Sequence, residues 1–282
     1  MRVLIVGGTS ALAQVLKPAL SGFAEVLTAG RAHCDIQLDL SAPAEKVRIP
    51  ERIDSVINVA AQFGARDFSG MLDTENVNVL GSLKLCHACT RAGARHLVLV
   101  SSMFAGLGRD SSFYGIYALS KRHGEEVAEL YSATHNLPLT VLRPAQIYGV
   151  GESFRKHQPF LYTIMDKAER NEDITFYGSN DARRNLIHAE DVSNVIGRVV
   201  QHRVEGSYAC TYSSNVSYSE IARSAIAAFG STCTFRFLKD KPDIADNAFD
   251  PDETIYRRIQ YSPRIGIARG MEMEAAHRAG RE

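Results

Sequence analysis

Five short apolar runs, separated by longer amphipathic stretches, most strongly constrain what this chain can fold into. They lie at residues 3–6, 25–28, 55–59, 97–100 and 139–142. Each run is rich in leucine or β-branched residues and does not alternate between apolar and polar positions. Such runs are typical of strands that are buried on both faces of a parallel sheet.

The stretches between these runs have helical periodicity, since Val79, Leu83 and Cys86 recur at intervals of three and four residues. We expect helices over three ranges: about 11–20, 74–92 and 116–135. Because strands and helices alternate, the sequence predicts βαβ units and an α/β fold, a Rossmann-like doubly wound parallel sheet.

After Gly149 the pattern is less regular, although helices are expected at about 189–201 and from Ser217 onward. The chain therefore divides into a larger first domain and a smaller C-terminal lobe. The predicted ranges are 1–150 with a return segment at about 183–204 for the domain, and 151–182 with 205–282 for the lobe.

The charge balance and the hydropathy exclude several classes of protein. The 282 residues carry 32 basic and 32 acidic side chains, so the net charge is zero. This balance argues against a long basic surface for nucleic acid or anionic lipid. No apolar stretch approaches the roughly 20 residues that span a bilayer, and the N-terminal run stops at Gly7, too early for a signal peptide. We expect a cytoplasmic protein.

The cysteines and histidines do not suggest a disulfide framework or a metal site. Five cysteines are an odd number and are scattered along the chain. Cys86 and Cys89 have the spacing of a metal or redox motif, but no second pair supplies further ligands. We interpret both thiols as packed within a helix and expect no metal.

A turn that contains two glycines, Gly7 and Gly8, follows the first apolar run. It leads into the first predicted helix through Thr9, Ser10, Ala11, Leu12 and Ala13. A dinucleotide's pyrophosphate needs close backbone approach and a helix N-terminus directed at it, which this turn offers. Ser10 stands where glycine is usual, and its hydroxyl is available to donate to phosphate. A turn that merely joins a strand to a helix is the alternative interpretation.

Arg31 follows the second run, where a carboxylate would bind the ribose 2′-hydroxyl of NAD. A guanidinium suits a 2′-phosphate, so NADP is favoured over NAD; the alternative is a solvated surface arginine. Asp39 and Leu40 follow another short strand, from which the Asp39 carboxylate can reach an adenine amino group.

Tyr117 and Lys121 lie four residues apart on a predicted helix and therefore share one face. A ketone that receives a hydride needs a proton on its oxygen, which a tyrosine can supply if a neighbouring ammonium lowers its pKa. Ser101 and Ser102 end the fourth run, at the edge of the sheet where ligands bind in such folds. The Ser102 hydroxyl can hydrogen-bond the substrate oxygen; capping of a turn is the alternative.

These motifs occur in the order found in the short-chain dehydrogenase/reductase superfamily, which the chain resembles. The segments are Gly7-Gly8-Thr9-x-x-x-Ala13, Asn58-Val59-Ala60-Ala61, Asn78-x-x-Gly81, Ser101-Ser102 and Tyr117-x-x-x-Lys121. Further segments resemble the extended, sugar-nucleotide branch of that superfamily: residues 142–149, 174–178, 184–192 and 262–266. The resemblance spans residue 3 to about 272.

The resemblance implies a role for individual residues. Tyr117 would be the general acid/base, Lys121 would hold the nicotinamide ribose, and Ser102 would orient the substrate oxygen. The cofactor would also contact Ala60, Ala61 and the backbone near Pro144. In the substrate site, which belongs to the smaller lobe in part, the implied residues are Met103 and Arg184, whose guanidinium would bind a diphosphate. Asn185 replaces the aspartate that is common after that arginine.

The choice of reaction depends on Met103, Phe104 and Arg31. Dehydratases of this branch place an Asp-Glu pair where Met103 and Phe104 stand, and neither side chain exchanges a proton. Arg31 favours NADPH-dependent reduction of a nucleotide-linked 4-keto sugar, one that is 6-deoxy. The alternatives are an NAD-dependent sugar-nucleotide epimerase and a non-catalytic, dinucleotide-binding redox sensor, although such sensors commonly lack the tyrosine or the lysine.

A homodimer is the expected assembly. The predicted helices at about 74–92 and 116–135 resemble those that form a four-helix interface in this superfamily. Their candidate exposed apolar residues are Val77, Leu80 and Leu130.

Overall fold

The computed structural model describes residues 1–280 of the chain, which contain 13 strands and 10 α-helices. The strands are β1 (Arg2–Val6), β2 (Glu25–Gly30), β3 (Ile36–Gln37), β4 (Ser55–Asn58), β5 (Leu97–Val100), β6 (Leu139–Pro144), β7 (Gln146–Tyr148), β8 (Ile174–Tyr177), β9 (Arg183–Arg184), β10 (Leu186–His188), β11 (Gly206–Cys210), β12 (Val216–Ser217) and β13 (Phe235–Leu238). The helices are α1 (Ala11–Ser21), α2 (Phe68–Glu75), α3 (Gly81–Arg91), α4 (Ile116–His135), α5 (Glu152–Arg155), α6 (Pro159–Glu169), α7 (Ala189–His202), α8 (Tyr218–Ala228), α9 (Thr254–Ile259) and α10 (Ile267–Ala279).

Seven strands form one sheet in the order β11-β6-β5-β4-β1-β2-β3. Every neighbouring pair is parallel, and Val3, Leu4 and Ile5 of β1 are fully buried. The predicted Rossmann-like sheet is therefore confirmed. Because the strand order reverses between β1 and β4, the carboxyl ends of these two strands border the crevice where such sheets bind ligands.

Contacts divide the chain into two units. Unit 1 consists of Met1–Pro144, Ser193–Cys210 and Glu253–Tyr261, and it contains the whole seven-stranded sheet. Its last segment carries α9, which packs against β11 and which the predicted lobe had included. Unit 2 consists of 145–192, 211–252 and 262–280. Its strand pairs are β7–β10, β8–β13 and β9–β12, and its helices include α6, α8 and α10.

The helix predicted at about 74–92 begins earlier and is not regular. It starts with α2, where the Asp67 carboxylate caps the first turn by accepting from the Gly70 N–H. A π-helical turn over Asn76–Leu80 then leads into α3. Apolar periodicity marks only the part of this stretch that faces the core, so it missed the exposed first turns.

The side chains of the π-helical turn, α3 and α4 agree in part with the expectations from sequence. Cys86 and Cys89 are buried in the core of unit 1, and burial raises the pKa of the Cys86 thiol to about 12. Leu80 and Leu130 are 49% and 70% exposed, whereas Val77 is half-buried.

No helix within residues 1–280 combines the length and the apolar character needed to cross a bilayer.

Candidate active site

The turn after β1 is shaped by Gly7. This residue has a φ of +88°, and a Cβ there would lie 2.7 Å from the backbone nitrogen of Ala60. Only glycine fits both constraints. The Gly7 and Gly8 N–H groups donate to the Ala29 carbonyl, at 2.9 and 3.0 Å. This holds the turn between β1, β2 and the segment that follows β4.

Ser10 caps α1, because its hydroxyl accepts from the Ala13 N–H at 3.2 Å. The hydroxyl proton is not used in this bond, so Ser10 can still donate to a phosphate. Thr9 is exposed, whereas Ala11 and Leu12 are buried at the start of the helix. The N-terminus of α1 thus lies at the carboxyl end of β1, as a pyrophosphate site requires.

Arg31 is exposed directly after β2. It helps to lower the pKa of Asp39, a shift that comes first from the hydrogen bond that the Ser41 hydroxyl donates to that carboxylate. Leu40 is buried and packs closely against Gly81. A Cβ added to Gly81 would lie 2.9 Å from the Cβ of Leu40.

Sequence reasoning missed a carboxylate near the end of β2. The Thr28 N–H and hydroxyl both donate to Asp35, each at 2.8 Å, and the Lys17 ammonium lies 3.7 Å away. The Asp35 carboxylate therefore contacts β2, although the residue lies in the segment of chain that follows this strand. The signal in the sequence was weak, since the Asp stands five residues beyond the strand.

Tyr117 lies in the first turn of α4 and shares a hydrogen bond with Ser102. Burial raises the pKa of Tyr117 to about 12, and the Ser102 hydrogen bond opposes this only in part. The prediction of a lowered Tyr117 pKa is therefore wrong for the present arrangement, because burial outweighs the opposing hydrogen bond. Ser102 also caps the turn that contains Met103, by accepting from the Phe104 N–H at 3.2 Å. The capping interpretation of this serine is therefore confirmed, and its hydrogen bond to a substrate oxygen stays a prediction.

Lys121 is buried one turn further along α4. Its ammonium donates to the Val100 carbonyl at 3.0 Å and lies 5.9 Å from the centre of the Tyr117 ring. Burial lowers the pKa of Lys121 to about 8, while the charge of Glu125 opposes that shift. The end of β5 and the start of α4 thus bring Ser102, Tyr117 and Lys121 together.

Phe63, which sequence reasoning did not identify, stacks on Tyr117 with ring centres 5.3 Å apart. The Asn78 side chain fixes the chain beside it, since its amide exchanges hydrogen bonds of 2.9 and 2.8 Å with the Gln62 backbone. The same amide donates to the Ser120 hydroxyl on α4 at 2.9 Å. Asn78 therefore links the segment after β4 to the helix that carries Tyr117.

The remaining predicted residues of unit 1 lie at strand ends. Ala60 and Ala61 are half-buried after β4, and Pro144 is the buried last residue of β6. Since β4, β5 and β6 are parallel neighbours, these ends share the edge of the sheet that carries Ser102.

Arg184 lies in unit 2, on β9. Its guanidinium donates to the Tyr218 hydroxyl at 2.8 Å and to the Gln146 side chain at 3.2 Å. It also lies over the Phe160 ring, 4.7 Å from the ring centre. The neighbouring Asn185 is buried, and its amide accepts from the Tyr212 N–H and donates to the Tyr212 carbonyl. Asn185 thus anchors a loop of unit 2.

The described residues 1–280 contain no group of three His, Cys, Asp or Glu side chains that could hold a metal ion. The functional groups described above include hydroxyls, which can transfer protons, and ammonium and guanidinium cations, which bind anions.

A sequence profile matches residues 3–212, and it describes the NAD dependent epimerase/dehydratase family. CDP-abequose synthase of Salmonella typhimurium is 24% identical over 161 residues, which cover 57% of this chain and 52% of that protein. A dTDP-4-dehydro-6-deoxy-D-allose reductase of Streptomyces bikiniensis is 25% identical over 127 residues, 45% of this chain and 39% of that protein. The match thus covers about half of the length of the first relative and less than half of the second.

Solved structures share the fold along nearly the whole chain. WbmF of Bordetella bronchiseptica in complex with NAD+ has a TM-score of 0.82 at 18% identity, over 99% of this chain and 92% of that chain. RMD of Pseudomonas aeruginosa with NADPH has a TM-score of 0.80 at 18% identity, and the match covers 100% of this chain and 99% of that chain. A UDP-N-acetylglucosamine 4-epimerase of Bacillus cereus also reaches 0.80 at 18% identity, over 99% and 97%.

Proposed function

The chain belongs to the NAD dependent epimerase/dehydratase family, and from that premise we propose that it reduces the 4-keto group of a nucleotide-linked 6-deoxyhexose with NADPH. The observation that carries this proposal is the cluster of Ser102, Tyr117 and Lys121 at the carboxyl end of β5. The reductase relative from Streptomyces bikiniensis, although distant, supports the same class of substrate.

The residues of unit 1 fit a dinucleotide. Gly7 brings backbone close to the N-terminus of α1, and Ser10 keeps a hydroxyl proton at the same turn. Arg31 is an exposed cation after β2, suited to a 2′-phosphate. Lys121 and the end of β6 at Pro144 would hold the nicotinamide side. When bound, the reduced cofactor supplies the hydride.

The protein's own groups handle the proton. Tyr117 donates its phenolic proton to the carbonyl oxygen, and Ser102 donates a hydrogen bond to that oxygen. The ketone, one hydride and one proton thus give a secondary alcohol. The charge of Lys121 then stabilises the phenolate until it is reprotonated. In unit 2, Arg184 would bind the diphosphate of the substrate through its fork of N–H donors.

The direct test is to supply a panel of nucleoside-diphosphate 4-keto-6-deoxyhexoses with NADPH and follow the absorbance of the reduced cofactor. We expect the absorbance to fall for at least one substrate. Stable absorbance across the panel would reject a reductase. NAD that copurifies and resists dialysis would instead indicate an epimerase.

Arg31 supplies the test of cofactor choice. Arg31→Ala should weaken NADPH binding by about tenfold, because one partly solvated charge-assisted contact is lost. NADH binding should not change. Arg91→Ala, at the exposed end of α3, is the matched control. An equal loss for both nucleotides would contradict a role in recognising the 2′-phosphate.

We also infer a homodimer that buries the exposed apolar residues of α2 to α4. Phe68, Leu80 and Leu130 support it because each exposes about half of its side chain or more. Leu80→Asp should convert the assembly to a monomer in size-exclusion chromatography with light scattering. A wild-type protein that is monomeric at micromolar concentration would overturn this inference.

A further inference from the structure

A buried ion pair, Glu125 with Arg143, lies beyond Lys121 along α4. One turn further along α4, the carboxylate of Glu125 is buried. Arg143, on β6, donates to that carboxylate through Nε at 3.0 Å and through Nη2 at 2.6 Å. The reaction proposed above does not use Glu125 or Arg143.

The position of this pair gives it two consequences for the site. It joins α4, which carries Tyr117 and Lys121, to β6 at the residue before Pro144. It also places a negative charge four residues from Lys121 on the same face of α4, and a buried carboxylate is costly unless it is well paired. Arg143 supplies that pairing.

We propose that Glu125 is a positioning residue, which keeps Lys121 charged at the site, and that Arg143 sets how much of the Glu125 charge acts on Lys121. This inference rests on the proposed role of Lys121. The pKa of Lys121 supports it, since burial lowers that pKa and Glu125 opposes the shift.

The other surroundings of Lys121 are neutral. From the neighbouring elements, Asn78, Ser82 and Ser101 line a cavity of about 10 Å³ beside it, and the Val100 carbonyl accepts its hydrogen bond. Among the described residues that face the ammonium, the titratable or charged ones are Tyr117 and Glu125, with Arg143 acting through Glu125.

Two single substitutions should shift the titration of Lys121 in opposite directions. Glu125→Gln leaves two positive charges, so the Lys121 amine should deprotonate about one pH unit lower. Arg143→Gln removes the positive charge that partly cancels the charge of Glu125. The Lys121 amine should therefore deprotonate at a higher pH than in the wild type. A purely structural role predicts no shift, or the same direction for both variants.

Competitive labelling with acetic anhydride across a pH series, read by peptide mass spectrometry, measures this titration without cofactor or substrate. The exposed Lys17 is the internal reference, and Glu129→Gln, one turn further along α4, is the matched control that should leave the Lys121 curve unchanged. If Glu125→Gln does not fold, the double variant Glu125→Gln/Arg143→Gln removes both charges and should also shift the curve downward.

NADPH binding, followed by nucleotide fluorescence, gives a second readout. The pH at which binding falls to half should move down for Glu125→Gln and up for Arg143→Gln. The positioning role is overturned if, in either experiment, the pH midpoint does not move or moves in the same direction for both variants. Opposite labelling shifts in a protein without reductase activity would retain it and reject only the proposed reaction.

Discussion

At the scale of single residues, the Tyr117 hydroxyl is the atom that the proposed chemistry requires most. Tyr117→Phe removes the proton donor but keeps the ring that stacks on Phe63. We expect kcat to fall by about 10²- to 10⁴-fold, the usual contribution of general acid catalysis, while NADPH binding is retained. Tyr177→Phe, at an exposed tyrosine of unit 2, is the control. Wild-type turnover in Tyr117→Phe would reject the acid role.

The residues of this site differ in how far sequence could identify them. Tyr117 and Lys121 could be recognised because their spacing places them on one helical face, whatever surrounds the helix. Phe63 could not, because its place against Tyr117 depends on the fold of the chain beside it, where Asn78 holds the Gln62 backbone from 16 positions away. The sign of the Tyr117 pKa shift was also misjudged, since burial depends on the whole surrounding structure.

At the scale of elements, the approach of α4 to the π-helical turn depends on Gly124. A Cβ there would lie 2.5 Å from the Asn78 carbonyl oxygen, a backbone atom that cannot rotate away. Gly124→Ala must therefore push α4 outward, and with it Tyr117 and Lys121. We expect the free energy of unfolding to fall by about 1–3 kcal/mol, as for other overpacked sites.

Urea denaturation of Gly124→Ala measures this loss, and kcat/KM should fall with it. Gly22→Ala is the matched control, because nothing lies within 4 Å of a Cβ at that position. Similar stability of Gly124→Ala and the wild type would show that the two helices can separate at little cost.

Apolar periodicity located the elements but not their irregularities. Five strands of the large sheet were predicted within a few residues, because runs buried on both faces are distinctive, whereas β11 was not predicted and fell within the predicted lobe. The π-helical turn at Asn76–Leu80 was not predicted. Its buried Asn78 bonds to a distant loop and to α4, and the periodicity of a single helix contains no information about such contacts.

At the scale of the whole molecule, each unit buries one histidine, His96 in unit 1 and His188 in unit 2. Burial lowers the pKa of each to about 4 from 6.5; a bond to the Val204 backbone opposes this for His96, and the Asp191 charge opposes it for His188. Between about pH 4 and 6.5 the unfolded chain therefore binds more protons than the folded one. These two histidines therefore leave the free energy of unfolding unchanged above about pH 6.5 and reduce it as the pH falls from there toward 4.

At pH 5 this proton uptake should remove about 2 kcal/mol of stability for each histidine. Urea denaturation at about pH 7.5 and at pH 5 measures the loss. His96→Asn keeps a group that can bond to Thr140, which the His96 ring contacts at 2.7 Å, but removes the titration. The difference in stability between the two pH values should then be smaller than in the wild type, because one of the two groups that take up protons is gone. His202→Asn, at an exposed position, should retain the wild-type difference. An equal acid loss in all three proteins would show that carboxylates, rather than these histidines, govern the stability of the molecule below neutral pH.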